Sequence, residues 1–267
     1  MLRDITLGQF FPGNSPLHRM DPRVKILWTL FFIVLLFFIN NFWGFLIYGL
    51  FMAFVIGISD IRPRMIFAGL RPILYLLIFT ALLNIFLTGG ENVIFKLWFL
   101  KPTWEGLYSA GIMAFRLIFL VLGSSMLTFT TSPIVLTDGI EHLMMPFSKI
   151  GLPAHEIAMM MSIAIRFIPT ILEETDKIMK AQTARGADFE SGNILRRAKA
   201  MVPLLIPLFI SAFRRADELA MAMECRCYHG GKGRTRLHVL HLSQVDYYSV
   251  PVFMLLLLGV ILTRVFL

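Results

Sequence analysis

The sequence predicts an all-α, polytopic membrane protein with about five transmembrane helices plus long amphipathic cytoplasmic helices. Hydrophobic residues make up 57% of the 267-residue chain, whereas charged residues make up only 16%. Soluble domains average about 45–50% apolar and about 25% charged residues. The apolar residues also recur in separate long runs, and this pattern indicates repeated membrane crossings.

Five apolar runs can reach the roughly 20 residues needed to cross a bilayer, once imprecise ends are allowed for. Four lie in the first half of the chain and the fifth closes it: residues 26–39, 45–59, 73–88, 106–130 and 251–267. Ser249, just before Pro251, is the predicted start of the last helix. Residues 60–71 are expected to form a basic loop, and residues 91–104 an interfacial or re-entrant segment.

The distribution of Lys and Arg predicts the orientation, because cationic loops are retained in the cytoplasm. The N-terminal stretch, the 60–71 loop and residues 131–249 are basic, whereas the 40–44 turn carries no cation. The sequence therefore predicts a cytoplasmic N-terminus and an external C-terminus. Because the basic residues are spread between apolar runs, nucleic-acid binding is not expected. The predicted regions are an N-terminal transmembrane bundle (1–131), a cytoplasmic helical region (132–249) and a C-terminal transmembrane helix (250–267).

The cytoplasmic region is predicted to hold one short helix and two long amphipathic helices. Their expected ranges are 132–146, 153–184 and 191–228. Each long helix has an apolar half followed by a charged half. Apolar runs of about 10–16 residues are more often buried or interfacial than membrane-spanning. Two further transmembrane spans are the alternative interpretation.

Both long helices end in a lone arginine between small residues. The two motifs are Ala184-Arg185-Gly186 and Cys225-Arg226-Cys227. Small neighbours leave the guanidinium clear of the helix, and its five-donor fork pairs bidentately with carboxylates. The duplication predicts a pair of docking arginines. For either arginine alone, capping of its own helix or binding of lipid phosphate is the alternative.

A metal site and an ATPase site are alternatives for the segment around the second arginine. A zinc site could use the two cysteines and nearby histidines: Cys225, Cys227, His229, His238 and His241. The C-x-C and H-x-x-H spacings fit structural zinc poorly, so no metal site is predicted. The segment GGKGRTR at 230–236 does not match a phosphate-binding loop. No catalytic residue is predicted.

Arg116 lies near the middle of the fourth predicted span, where a charge costs roughly 2.5–3.5 kcal/mol on insertion scales. It should face the helix bundle, pinned by backbone carbonyls or by Asn84 of the neighbouring span. A substrate path is the alternative role for Arg116. A membrane-embedded enzyme or a solitary channel is the alternative function, but the spans contain almost no other titratable groups and only isolated Ser and Thr.

Four segments carry a family resemblance. They are PGNSPLHRMDPRVKIL (12–27), TTSPIVLTDGIEHLMMPFSKIGLP (130–153), RFIPTILEETDKIMKAQTARG (166–186) and RCYHGGKGRT (226–235). These segments are similar to those of the transmembrane T component of energy-coupling factor (ECF) transporters, the EcfT/CbiQ family. ECF transporters take up vitamins and transition-metal ions in prokaryotes, and the resemblance runs through nearly the whole chain.

The resemblance implies a non-catalytic scaffold in the cell inner (plasma) membrane. The motifs centred on Arg185 and Arg226 would close two coupling helices and dock into grooves on two cytoplasmic ABC-type ATPase subunits. A separate substrate-binding S component would be held by the membrane and coupling helices, and it would topple as ATP is hydrolysed. ATP and Mg²⁺ would bind to the partner ATPases, with no cofactor in this chain. Cys225 and Cys227 depart from the commoner Ala or Gly neighbours, which introduces redox sensitivity.

Overall fold

The structure, a computed structural model, describes residues 10–88, 103–189, 193–231 and 239–266. These residues form helices and connecting turns, with no strand among them, so the predicted all-α membrane fold is confirmed. The α-helices are α1 (Pro16–Arg19), α2 (Pro22–Phe37), α3 (Phe42–Ile58), α4 (Pro63–Leu87), α5 (Trp104–Thr130), α6 (Pro133–Met144), α7 (Ala154–Ala184), α8 (Ile194–Cys225) and α9 (Gln244–Phe266). A 3-10 helix, Met145–Ile150, follows α6.

The chain separates into two compact units. One comprises residues 8–140 and 239–267 and contains α1 to α5 and α9, whereas the other includes residues 141–238 and contains α7 and α8. The division falls within α6. The three regions predicted from the sequence stay a prediction, because contacts within a chain do not locate the membrane surfaces.

Four helices of the described chain are long and apolar enough to cross a membrane: α4, α5, α7 and α9. Of these, α4, α5 and α9 overlap predicted spans. The helices at the first two predicted spans are shorter, with 16 residues in α2 and 17 in α3. The long helix α7 is also long and apolar enough to cross the membrane, which agrees with the alternative interpretation of additional transmembrane spans. Its mean hydropathy is nevertheless the lowest of the four helices.

The basic loop predicted at residues 60–71 is wrong from Pro63 onwards, because α4 begins there. Proline is favoured in the first helical turn, where its missing N–H has no intrahelical partner. Pro72 lies inside the same helix. Most of the interfacial segment predicted at 91–104 lies outside the described residues, and α5 begins at Trp104.

The predicted start of the last helix at Ser249 is also wrong, because α9 begins at Gln244. The backbone N–H of Ser243 donates to Asp246 Oδ2 (2.6 Å), which is the reciprocal half of a capping box. Pro251 lies inside the helix. Ser249 instead uses its hydroxyl to accept a hydrogen bond from Trp28 Nε1 (2.8 Å) on α2.

The core of the first unit lies among α2, α3, α5 and α9. Tyr48 and Leu36 are fully enclosed, and Phe119 and Leu256 are buried beside them. The Tyr48 hydroxyl donates to the backbone oxygen of Phe32 (3.2 Å), so its polar end is satisfied inside the apolar core. Many apolar side chains on the outer faces of these helices stay exposed, which suits contact with lipid.

The polar segment before α2 is joined to the ends of α5 and α9. The buried Lys25 ammonium donates to the Thr130 carbonyl (3.0 Å) and to Thr131 Oγ1 (3.2 Å). The backbone N–H of Asp21 donates to Asp246 Oδ1 (2.9 Å). The first of the four resembling segments is therefore part of the internal framework of this unit, because its buried polar groups form hydrogen bonds with distant segments of the chain.

Candidate functional site

The end of α7 places Arg185 at the helix C-cap. The N–H of Gly186 donates to the Thr183 oxygen (2.9 Å), and the N–H of Ala187 donates to the Gln182 oxygen (3.0 Å). These two bonds define a Schellman motif, in which the residue after the cap adopts left-handed backbone. Gly186 is that residue, with φ of 88°. We call residues 184–186 the first tip.

The end of α8 repeats the same geometry around Arg226. The N–H of Cys227 donates to the Glu224 oxygen (2.9 Å), and the N–H of Tyr228 donates to the Met223 oxygen (3.0 Å). Cys227 holds the left-handed position with φ of 56°. We call residues 225–227 the second tip. The similarity seen in the sequence thus extends to the backbone hydrogen bonds of both helix ends.

Both docking candidates present their guanidinium groups outward. Arg185 and Arg226 are exposed, and neither forms a side-chain hydrogen bond or an ion pair with any residue that the structure describes. Their neighbours Ala184, Gly186 and Cys225 are exposed too. An unpaired, exposed guanidinium beside small neighbours can form bidentate bonds with a carboxylate on another molecule.

The second tip lies beside α7, which sequence reasoning missed. Met159 of α7 and Met223 of α8 line a recess of about 390 Å³ together with Arg226 and the residues that follow it, among them Tyr228 and His229. Met223 and Tyr228 occupy the positions whose apolar contact commonly accompanies a Schellman motif. The recess therefore separates Arg226 and the residues after it from α7, and it leaves space beside this tip.

A histidine on α7 supports the chain just beyond the second tip. His155 Nδ1 pairs with Glu141 Oε1 at 3.0 Å. A Cβ atom added to Gly231 would come within 2.5 Å of His155 Cδ2 and 2.8 Å of Cγ. The glycine backbone therefore lies directly on the imidazole ring, and a residue with any side chain would not fit without movement.

One face of α8 exposes a continuous row of apolar side chains. These residues recur one helical turn apart, at the spacing of a single helix face. They are Met201, Val202, Leu205, Ile206, Phe209, Ile210 and Phe213. Contiguous exposed apolar surface of this kind marks contact with another protein or with lipid.

Arg116 contacts the turn between α2 and α3. Its guanidinium donates to the Ile39 oxygen (2.8 Å) and to Asn40 Oδ1 (3.2 Å), and it lies over the Phe37 ring at 5.6 Å. Asn84, the expected side-chain partner, instead donates to the Thr80 oxygen (2.9 Å) of its own helix. The contact of Arg116 with a backbone carbonyl is the kind expected of a structural pin, whereas the expected contact with Asn84 is not formed.

Both cysteines are free thiols and both are exposed. Within the described ranges, no three His, Cys, Asp or Glu side chains form a group that could hold a metal ion. His238, one of the candidate zinc histidines, lies outside those ranges.

These observations define a polytopic all-α membrane protein in which two long helices present exposed arginines. Comparison with known proteins gives the family: residues 13–237 match the CbiQ family, described as cobalt transport protein. The chain is 56% identical over 266 residues to a protein of Clostridium kluyveri named energy-coupling factor transporter transmembrane protein EcfT, covering 99% of this chain and 98% of that protein.

Two further proteins with the same EcfT name show the same extent of similarity. The protein of Thermosediminibacter oceani is 54% identical over 263 residues, covering 98% of this chain and 99% of the relative. The protein of Bacillus subtilis is 46% identical over 240 residues, covering 90% and 91%. The chain belongs to the EcfT/CbiQ family of transmembrane components of energy-coupling factor transporters.

Proposed function

We propose that this transporter component couples ATP hydrolysis by two cytoplasmic ABC-type ATPase subunits to a substrate-binding S component in the same membrane. The observation that carries the proposal is a pair of exposed arginines, at two helix ends with the same backbone geometry, whose side chains pair with no residue in the described part of the chain. A duplicated tip suits two copies, or two related subunits, of one kind of partner. ATP and Mg²⁺ would bind to those partners, and the transported solute would be a vitamin or a transition-metal ion.

Arginine at each tip suits a docking contact for an electrostatic reason. Hydrogen bonds to charged groups contribute about 1.5–3 kcal/mol each. Removal of one member of a buried, hydrogen-bonded charge pair costs about 2–5 kcal/mol, because the partner is left unpaired. Two such contacts at separate ends of a rigid helical unit would bind two subunits and transmit a change in their separation to the membrane region.

The apolar face of α8 supports a role in holding the S component. Its exposed row from Met201 to Phe213 lies on the N-terminal part of α8, whereas Arg226 caps the other end. One helix thus offers a polar contact at one end and an apolar surface along the other part. We expect the apolar surface to cover the S component or the lipid beside it, and the arginine to reach the ATPase.

Removal of the tip arginines tests the docking proposal. We expect Arg185→Ala or Arg226→Ala to weaken ATPase binding by about 2–5 kcal/mol and to lower solute uptake. The double variant should abolish uptake while the protein still inserts. The measurements are co-purification of the ATPases after mild detergent extraction and uptake by cells.

Arg214→Ala provides the matched control, because Arg214 is also an exposed arginine of α8 without an ion pair to a described residue. This variant should bind the ATPases normally. Normal ATPase capture and uptake by the double tip variant would refute the docking function.

The proposed orientation places both tips in the cytoplasm. Because Cys225 and Cys227 are the only cysteines of the chain and both are exposed, a membrane-impermeant maleimide reports their side directly. When this chain is produced without its ATPases, so that the second tip is uncovered, we expect labelling in inside-out vesicles and none in intact spheroplasts. A Cys225→Ala, Cys227→Ala variant supplies the background signal, and labelling of intact spheroplasts would overturn the orientation.

A further inference from the structure

The ion pair between α7 and α8 lies midway between the two docking candidates. Arg215 of α8 donates to Glu174 Oε2 of α7 at 3.0 Å, and the Ser211 hydroxyl lies beside the same carboxylate. Arg185 follows Glu174 along the chain by the same interval at which Arg226 follows Arg215. At about 1.5 Å per residue, each tip lies about 16.5 Å along its helix from the ion pair.

The two tips lie in opposite directions from this pair. On α7, Met159 precedes Glu174, whereas on α8 the residue that shares the recess with it, Met223, follows Arg215. The helices therefore run antiparallel along their contact. The first tip extends beyond the pair in one direction and the second tip in the other, so about 33 Å of helix separates the two arginines.

The equal spacing from Glu174 to Arg185 and from Arg215 to Arg226 also determines the helix face on which each arginine lies. It spans about three turns of an α-helix, so its two end positions share one face of the helix. Arg185 thus continues the face of α7 that carries Glu174, and Arg226 continues the face of α8 that carries Arg215. A change in the register of α7 against α8 would alter both the separation and the relative direction of the tips.

We infer that the Glu174–Arg215 pair is the positioning contact that sets the register of α7 on α8, and thereby the separation at which the two tips meet their ATPases. The inference rests on the proposed docking function for its consequence, but not for the register itself. Neighbouring charges provide the contrast: Glu173 and Arg214 are exposed and make no ion pair with a described residue.

Charge reversal with a distance readout tests this inference. Spin labels at Lys180→Cys and Met221→Cys, which precede the two tips by equal intervals, report the separation in the full chain in lipid nanodiscs without ATPases. The background carries Cys225→Ala and Cys227→Gly. We expect Glu174→Arg or Arg215→Glu to broaden the distance distribution and to weaken ATPase capture roughly fivefold. The double variant that carries both changes should restore the narrow distribution and ATPase capture.

The controls separate positioning from a general effect of charge. Glu173→Arg and Arg214→Glu should leave the distance distribution and ATPase capture unchanged. Glu174→Gln keeps the shape of the side chain and should broaden the distribution even if a reversed charge prevents insertion. The inference would be overturned if the distance distribution were unchanged in all Glu174 and Arg215 variants. It would also be overturned if the Glu174→Arg, Arg215→Glu double variant had a distribution as broad as those of the single variants.

The docking function fails by a different result. If the distances respond as expected but the Arg185→Ala, Arg226→Ala variant still captures the ATPases, the positioning contact is supported and the docking role of the arginines is not.

Discussion

The two tips reach the same backbone geometry by different means. At the first tip, glycine occupies the left-handed position, and a Cβ atom added to Gly186 would meet nothing within 4 Å. At the second tip, a residue with a side chain, Cys227, occupies that position, the following Tyr228 lines a recess beside α7, and Gly231 lies directly on the His155 ring of α7. The first tip is therefore built by local backbone preference, whereas the second is built by tertiary packing.

This difference indicates how each tip tolerates change. Left-handed backbone costs roughly 1–2 kcal/mol for a residue with a Cβ atom and almost nothing for glycine. The close contact of Gly231 with His155 is the tertiary packing that we expect to offset that cost near Cys227. Damage to the packing should thus disturb only the second tip, and damage to the backbone preference should disturb mainly the first.

Among the changes that test how the two tips are built, Gly231→Ala has the largest expected effect. The new Cβ atom would lie 2.5 Å from His155 Cδ2, and overpacking of this kind typically costs about 1–3 kcal/mol. We expect weaker binding of the ATPase at the second tip and a lower unfolding temperature in detergent. Gly57→Ala is the matched control, because its Cβ atom would meet nothing within 4 Å. If both variants bind alike, the contact with His155 does not support the tip.

Gly186→Ala should have an intermediate effect that is confined to the first tip. Its φ of 88° is unfavourable for alanine, and we expect the local stability of the first tip to fall by about 1 kcal/mol. Hydrogen exchange of the Ala187 amide, whose bond closes the Schellman motif, measures this loss locally. Exchange of the Tyr228 amide at the second tip should not change. Equal acceleration at both amides would contradict independent construction of the tips.

Cys227→Gly should have the smallest effect on stability, and unlike the two preceding changes it should stabilise the protein. Glycine relieves the left-handed strain at φ of 56°, but it also gains entropy in the unfolded chain, so we expect a net stabilisation of about 0.5 kcal/mol. ATPase capture should be unchanged. A lower unfolding temperature would show that the Cys227 side chain contributes packing that outweighs the strain.

The arginine tips could be predicted from the sequence because their determinants are local. A helix ends at each motif, and the small residues around Arg185 and Arg226 can be identified directly from the amino-acid sequence. The ion pair of Glu174 with Arg215 and the hydrogen bond of His155 with Glu141 could not be predicted, because each depends on the packing of segments that are separated in the chain. The equal spacing from Glu174 and Arg215 to their tips is present in the sequence, but it has meaning only once the two helices are known to meet there.

Helix boundaries show the same division between local and distant causes. Pro63 occupies the first position of α4, and Ser243 precedes α9 and donates to Asp246 in its first turn, but apolar patterning alone placed both starts later. The contact of Ser249 with Trp28 explains one error, because a serine that resembles a cap in the sequence is committed to a neighbouring helix. Turn chemistry should therefore be weighed before hydrophobicity when the ends of such helices are assigned.

The short hairpin of α2 and α3 has a consequence for the surrounding lipid. Helices of 16 and 17 residues reach only about 24–26 Å, whereas the hydrocarbon region is about 30 Å thick and the 27 residues of α5 extend about 40 Å. Arg116, halfway along α5, meets the end of this hairpin. Hydrophobic mismatch at this edge should draw the headgroups inward by a few ångströms. The bilayer beside the protein should therefore be locally thinner and more easily deformed.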